Sequence, residues 1–138
     1  TDPDDRLLLA HAAHWSPHRF SHLAGYVEPG ETFEQAVHRE VGEEAGIALE
    51  VLEYLGSQPW PFPASVMVAF RARTTARTVR VDGDEITEAR FVAREELSAL
   101  VGDGAMVLAP QGSVARRMLE DWYGGVLPEA RVGGPVDV

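Results

Sequence analysis

The chain has 138 residues, 45% hydrophobic and 25% charged, with a formal net charge of −10; that suits one globular domain, residues 1–138, with a sizeable core. No run reaches the roughly 18 uninterrupted apolar residues of a membrane-crossing helix, so no membrane partner is expected, and the acidity argues against non-specific adhesion to nucleic acid or anionic lipid. Cysteine is absent, which excludes disulfides and thiolate zinc sites within these residues and is compatible with a cytoplasmic location.

Residues 1–5 (TDPDD) form a turn signal, and residues 6–13 (RLLLAHAA) read as a buried strand. A turn normally joins two elements, so the chain is expected to be a piece of a longer protein, or to lack its first strand. His11, His14, His18 and His22 follow at a spacing that could bind zinc on a helix. Pro17, with Trp15 and Phe20 nearby, favours an exposed or substrate-facing loop instead. Residues 20–27 then read as a short strand, with Gly25 where the backbone must pass close to something.

An acidic helix comes next. Thr32 can cap it, with Gln35 completing a capping box, and Gly46 suits the left-handed position just past its end. At about 100° per residue, Glu40 and Glu44 fall roughly 40° apart, with Glu43 on the flank of the same arc. Carboxylates so placed sit about 5–6 Å apart at Cβ and repel by roughly 3 kcal/mol per pair at an effective dielectric near 20. Arg39 is the only Arg or Lys in the helix. An acidic solvated face is one reading; a divalent cation held by oxygen ligands is the other, because it turns repulsion into coordination.

Residues 49–57 read as a strand with Val51, Glu53 and Leu55 on one face. Residues 57–65 (SQPWPFPAS) hold three prolines and two aromatics. Proline fixes φ and removes donors, so a stiff loop is expected there. Trp60 and Phe62 would form either an apolar stacking platform or a plug at one end of the core. Residues 66–73 read as a strand with residues 78–81 as its hairpin partner, and residues 85–92 as a further strand. In the DGDE stretch, Glu85 by itself reads as part of a polar turn. Residues 94–100 suit a short helix and residues 102–112 a small-residue loop. Residues 113–123 begin with a good cap, Ser113, and place Val114, Met118 and Trp122 on one stripe for packing against the sheet. The tail from Gly124 lacks periodicity and is expected to be loosely ordered.

Residues 25–47 match the spacing G-x5-E-x7-R-E-U-x-E-E-x-G-U, with U aliphatic, at Gly25, Glu31, Arg39, Glu40, Val41, Glu43, Glu44, Gly46 and Ile47. This resembles the Nudix box of hydrolases that cleave nucleoside diphosphates linked to another group. Followed by SQPWPFPxS, by MVAF at residues 67–70 and by GSVARRMLED at residues 112–121, it is similar to the NADH pyrophosphatase branch of that superfamily. The resemblance implies an α/β fold, an α/β/α sandwich around a mixed sheet. It also implies hydrolysis of NADH or NAD to AMP and nicotinamide mononucleotide, and some members of the branch remove NAD caps from RNA.

Carried over residue by residue, the resemblance makes Glu40, Glu44, Glu85 and the Ala24 carbonyl ligands of Mg²⁺ or Mn²⁺. Glu43 or Glu44 would orient the attacking water or take its proton. Gln58, Pro59, Trp60, Pro61, Phe62, Pro63, Ala64, Ser65 and Ala115 match substrate-binding positions. Gly25, Glu31, Arg39 and Gly46 match the structural positions of the box, with Glu31 pairing with Arg39. Members of the branch usually carry an N-terminal domain and a four-cysteine zinc ribbon, both absent from this chain, and form homodimers whose partner helps build the pocket. Residues 102–110 look like an insertion. The alternatives are a Nudix hydrolase acting on ADP-ribose or a nucleoside triphosphate, and a non-catalytic Nudix-fold binding module. Any RNA affinity would need the absent segment or a patch at Arg71, Arg73, Arg77 and Arg80.

Overall fold

The computed structural model describes residues 1–128. The order of elements is β1 (Leu7–Ala12), α1 (Phe33–Ala45), β2 (Val51–Trp60), β3 (Ser65–Arg73), β4 (Ile86–Val92), α2 (Arg94–Gly102) and α3 (Val114–Tyr123). β1 pairs antiparallel with β4, Leu8 opposite Phe91 and Leu7 opposite Val92. Alternation then sends neighbouring side chains to opposite faces. On one face Leu9 and Val92 pack with Leu97, Val101 and Met106 of the α2 region and Leu119 of α3. On the other, Phe91 packs with Ala45, Ile47 and the half-buried Val41 and Leu8, which brings α1 against the sheet. The strand is apolar on both faces because helices cover both. This is the α/β/α sandwich expected from the sequence.

The expected strand at residues 20–27 reduces to one isolated bridge, with a second just before it. Ser21 pairs antiparallel with Ala10 and Arg19 pairs parallel with Val107. The named strands themselves form two antiparallel pairs, β1–β4 and β2–β3, so the mixed sheet that was expected is not seen among them. Past Ser21 the backbone turns to other partners, Tyr26 giving its carbonyl oxygen to the Arg39 guanidinium at 3.0 Å.

α1 starts and stops as its sequence requires. The Thr32 hydroxyl accepts from the Gln35 N–H at 3.1 Å and the Gln35 side chain accepts from the Thr32 N–H at 2.9 Å. Gly46 closes the helix at φ 65° and donates to the Gly42 carbonyl. Residues 78–81 do not form a hairpin with β3. The Arg80 N–H instead donates to the Ala45 carbonyl at 3.0 Å, satisfying an orphan acceptor at the end of α1, while Val79 and Val81 pack into the core.

Two further expectations change. Residues 57–60 belong to β2 rather than to a loop, because Gln58 lies opposite Met67 and Pro59 opposite Val66 in a β2–β3 hairpin whose turn is residues 61–64. Proline is tolerated because this is a two-stranded ladder with free edges. The expected Val51–Glu53–Leu55 face breaks at Leu55, which has no partner: the register passes from Tyr54↔Phe70 directly to Gly56↔Ala69, a β-bulge.

In α3 the Val114, Met118, Trp122 stripe is only half-buried, and the deepest residues are Arg116 and Leu119. A buried guanidinium is costly unless its donors are used. Arg116 donates to Glu120, to the Ala109 carbonyl and to the Leu127 carbonyl. The tail is therefore not loose through residue 127: Leu127 is fully buried and its N–H donates to Glu120. The rest of the expected loose tail, residues 129–138, lies outside the described residues. Nor is the 102–112 loop featureless, since Met106 sits in the core and Val107 bridges to Arg19.

Candidate active site

Helical spacing brings Glu40 and Glu44 of α1 together, and the turn before β4 brings Glu85 to them. One carboxylate oxygen from each lies within 4.8 Å of the others. Among the described residues no other group of three His, Asp or Glu side chains converges in this way. Glu85 is set by a neighbour the sequence reading passed over. The Asp82 carboxylate accepts from the Asp84 and Ile86 N–H groups, and Gly83 takes φ 83°, so the turn is fixed on both sides of Glu85. The DGD pattern was its signal.

Gly25 is what lets Glu40 take its place. A Cβ on Gly25 would stand 2.1 Å from the Glu40 carboxyl carbon, so no other residue fits without displacing that carboxylate. Ala24, whose carbonyl is the fourth expected ligand, is joined directly to this close approach.

Arg39 organises the flank. It holds Glu31 with two hydrogen bonds, at 2.7 and 2.9 Å, and donates to Glu40 at 2.7 Å. Paired with Arg39, the Glu31 carboxyl is drawn down to about 2, and the guanidinium in turn is held charged by Glu31 and Glu40. Glu43 stands apart, 61% exposed, and touches Arg39 only at 3.4 Å.

Glu44 is the opposite case, at 4% exposure. Burial first, then the charge of Glu40, then the carboxyl of Glu85 push its pKa up to about 8. Its Oε2 is buried without a partner. An orphaned oxygen inside a ring of carboxylates is costly by itself, and a hard cation would satisfy it. The donor set therefore fits a divalent metal.

The histidines are not brought together. Half-buried His11 donates through Nδ1 to the Arg19 carbonyl, and His22 through Nε2 to the Ala115 carbonyl at 3.1 Å. Burial lowers the His22 pKa, which keeps the ring neutral.

The β2–β3 hairpin carries the proline-aromatic segment at its tip, with Trp60 42% and Phe62 89% exposed. They form an open apolar surface rather than a core plug. Gln58 does not extend freely: its amide donates to the Gly112 carbonyl and accepts from the Val114 N–H, both at 2.8 Å. Ala115 is the next residue of the same helical turn. The suggested Arg patch is partly neutralised, with Arg71 facing Glu53 and Arg77 paired with Asp4.

Residues 1–117 match the NUDIX domain. The chain belongs to the Nudix family. Among curated proteins this Nudix chain is 45% identical over 118 residues to the NAD-capped RNA hydrolase NudC of Shigella flexneri, covering 86% of the chain and 43% of that protein. It is 37% identical over 120 residues to the NAD-capped RNA hydrolase NUDT12 of Macaca fascicularis, covering 85% of the chain and 26% of that protein. The chain thus spans less than half the length of these relatives. Of solved structures, the NUDIX domain of Shewanella oneidensis NrtR, complexed with ADP ribose, superposes with a TM-score of 0.61 at 16% identity, covering 75% of this chain and 68% of that one. DR0079 from Deinococcus radiodurans gives 0.57 at 23% identity, covering 86% and 74%. At those identities the structures speak for the Nudix fold alone. No helix among the described residues is long and apolar enough to cross a membrane.

Proposed function

We propose that this domain is a metal-dependent hydrolase that cleaves the pyrophosphate of NADH or NAD to AMP and nicotinamide mononucleotide, and that an NAD-capped RNA end is a further substrate. The observation that carries the proposal is the convergence of Glu40, Glu44 and Glu85 within 4.8 Å, with one Glu44 oxygen left unpaired. The two relatives named as NAD-capped RNA hydrolases, and the SQPWPFPxS segment at the hairpin, support this substrate class.

Glu40, Glu44 and Glu85, with the Ala24 carbonyl, would hold Mg²⁺ or Mn²⁺. When bound, such ions neutralise phosphate charge and make a water more acidic. Glu44, buried and one of the three converging carboxylates, is the better placed of the two candidates to orient the water or receive its proton. Glu43 points to Arg39 and serves the outer electrostatics. Arg39 and Glu31 fix the geometry of Glu40. Trp60 and Phe62 would hold the substrate's rings by stacking. Their exposure on a hairpin tip is in keeping with a homodimer in which a second subunit closes the pocket. A cytoplasmic location accords with the absence of cysteine.

The test is a panel of NADH, NAD, ADP-ribose and nucleoside triphosphates with Mg²⁺ or Mn²⁺, with products resolved by chromatography. AMP and nicotinamide mononucleotide in equal amounts from NADH, at the highest kcat/KM of the panel, is the expected result. A strong preference for ADP-ribose or a triphosphate would reassign the substrate, and no turnover of any of them would leave a binding module.

A further inference from the structure

The β2 bulge has a consequence for the site. Without it, Gln58 would share a face with Tyr54, since residues four apart on a regular strand do. The register instead runs Tyr54↔Phe70, Gly56↔Ala69, Gln58↔Met67, so unpaired Leu55 transfers Gln58 to the face of the buried Ala69. On that face Gln58 meets the start of α3. Its amide behaves as a missing length of backbone, donating to the Gly112 carbonyl and accepting from the Val114 N–H. The Ser113 hydroxyl accepts from the Arg116 N–H, and His22 donates to the Ala115 carbonyl from the segment that enters the box. The first turn of α3 is thus held from two directions, by β2 and by the strand-like arm that leads to Ala24 and Gly25.

We propose that Gln58 is a positioning residue, acting on substrate through the Val114–Ala115 turn that its amide holds. Both ends of its amide are engaged within the protein, which fixes the side chain against the first turn of α3 and leaves one N–H and one lone pair unused. His22 completes the clamp, and together the two side chains tie the aromatic hairpin to the metal-binding arm. This inference rests on the reading of Ala115 as substrate-facing.

The experiment pairs amide hydrogen exchange with kinetics on the whole chain, using the substrate the panel above selects. In Gln58→Met, which keeps side-chain length but neither hydrogen bond, exchange at the Val114 N–H should quicken and KM should rise, each about tenfold, with kcat changing less. Gln58→Glu retains an acceptor for Val114 and should restore its protection and part of KM. A rise in KM with unchanged Val114 exchange would mean direct contact, and faster exchange with unchanged KM would mean a purely structural clamp; either overturns the proposal. A panel that selects a substrate other than NADH would change the functional reading and leave this test intact.

Discussion

The carboxylate cluster and the proline-aromatic hairpin lie in one domain and are built on opposite principles. The cluster is over-determined: a capped helix spaces Glu40 and Glu44, a glycine makes room for Glu40, an Asp82 turn presents Glu85, and Arg39 braces the flank. It stores electrostatic tension, visible in the raised pKa and unpaired oxygen of Glu44. The hairpin stores none. Its aromatic tip stands in solvent, and its tie to α3 in the site is the Gln58 amide. On the proposed function, chemistry belongs to the carboxylate cluster and selection of the substrate to the open hairpin. Changes in the first should therefore abolish turnover of every substrate, and changes in the second should re-rank substrates.

The largest effect expected is from Glu44→Gln, which removes the buried carboxylate while keeping its shape. Metal-dependent kcat should fall by about 10³-fold, as is typical for loss of a group that handles the proton, and equally for every substrate tried. Unchanged turnover would remove Glu44 from the chemistry.

Gly25→Ala should come next. The new methyl would overlap the Glu40 carboxyl, and a displacement on the order of 1 Å costs about 10²-fold in rate. Steady-state kinetics beside a thermal melt would separate displacement from unfolding; a variant of normal activity would mean that Glu40 does not need that position.

Trp60→Ala tests the other region. Because Trp60 is partly exposed, the melting temperature should hold, while kcat/KM for NADH should fall about tenfold from lost stacking and that for a small diphosphate substrate should change little. An equal loss for both would break the division of labour.

The smallest effect is on stability against pH. Glu44 has a pKa near 8 in the fold against an ordinary 4.5, so the folded chain binds the extra proton between those values. Metal-free stability should therefore decline as pH rises from about 4.5 through about 8. Glu31, depressed from 4.5 to about 2, works in the other direction, its contribution disappearing as pH falls from about 4.5 through about 2. Melting curves should show the alkaline decline flattened by Mg²⁺ and absent in Glu44→Gln; a decline that persists in the variant would place its source elsewhere.

The two regions were also unequally legible in the sequence. The caps, carboxylate spacing and glycine stop of α1 are local features, fixed by 3.6 residues per turn, and they reappear in the structure as read. Glu85 lies about 40 residues further on, and only the resemblance marked it, because a DGDE turn looks the same with or without a partner across space. The extension of β2 through Pro59 and the bulge at Leu55 were hidden because proline content argued locally for a loop while the pairing with β3 decided otherwise. The burial of Arg116 was hidden for a similar reason: it depends on carbonyls at Ala109 and Leu127 that the helix pattern does not contain. Residues 78–81, expected as the hairpin partner of β3, differ for the same reason, the Arg80 N–H being taken by the end of α1.

The most direct test of the central claim is anomalous diffraction from crystals of the chain grown with Mn²⁺. The account predicts manganese density among the carboxylates of Glu40, Glu44 and Glu85, lost in Glu44→Gln. Density confined to other acidic residues, or none among these three at millimolar Mn²⁺, would contradict it.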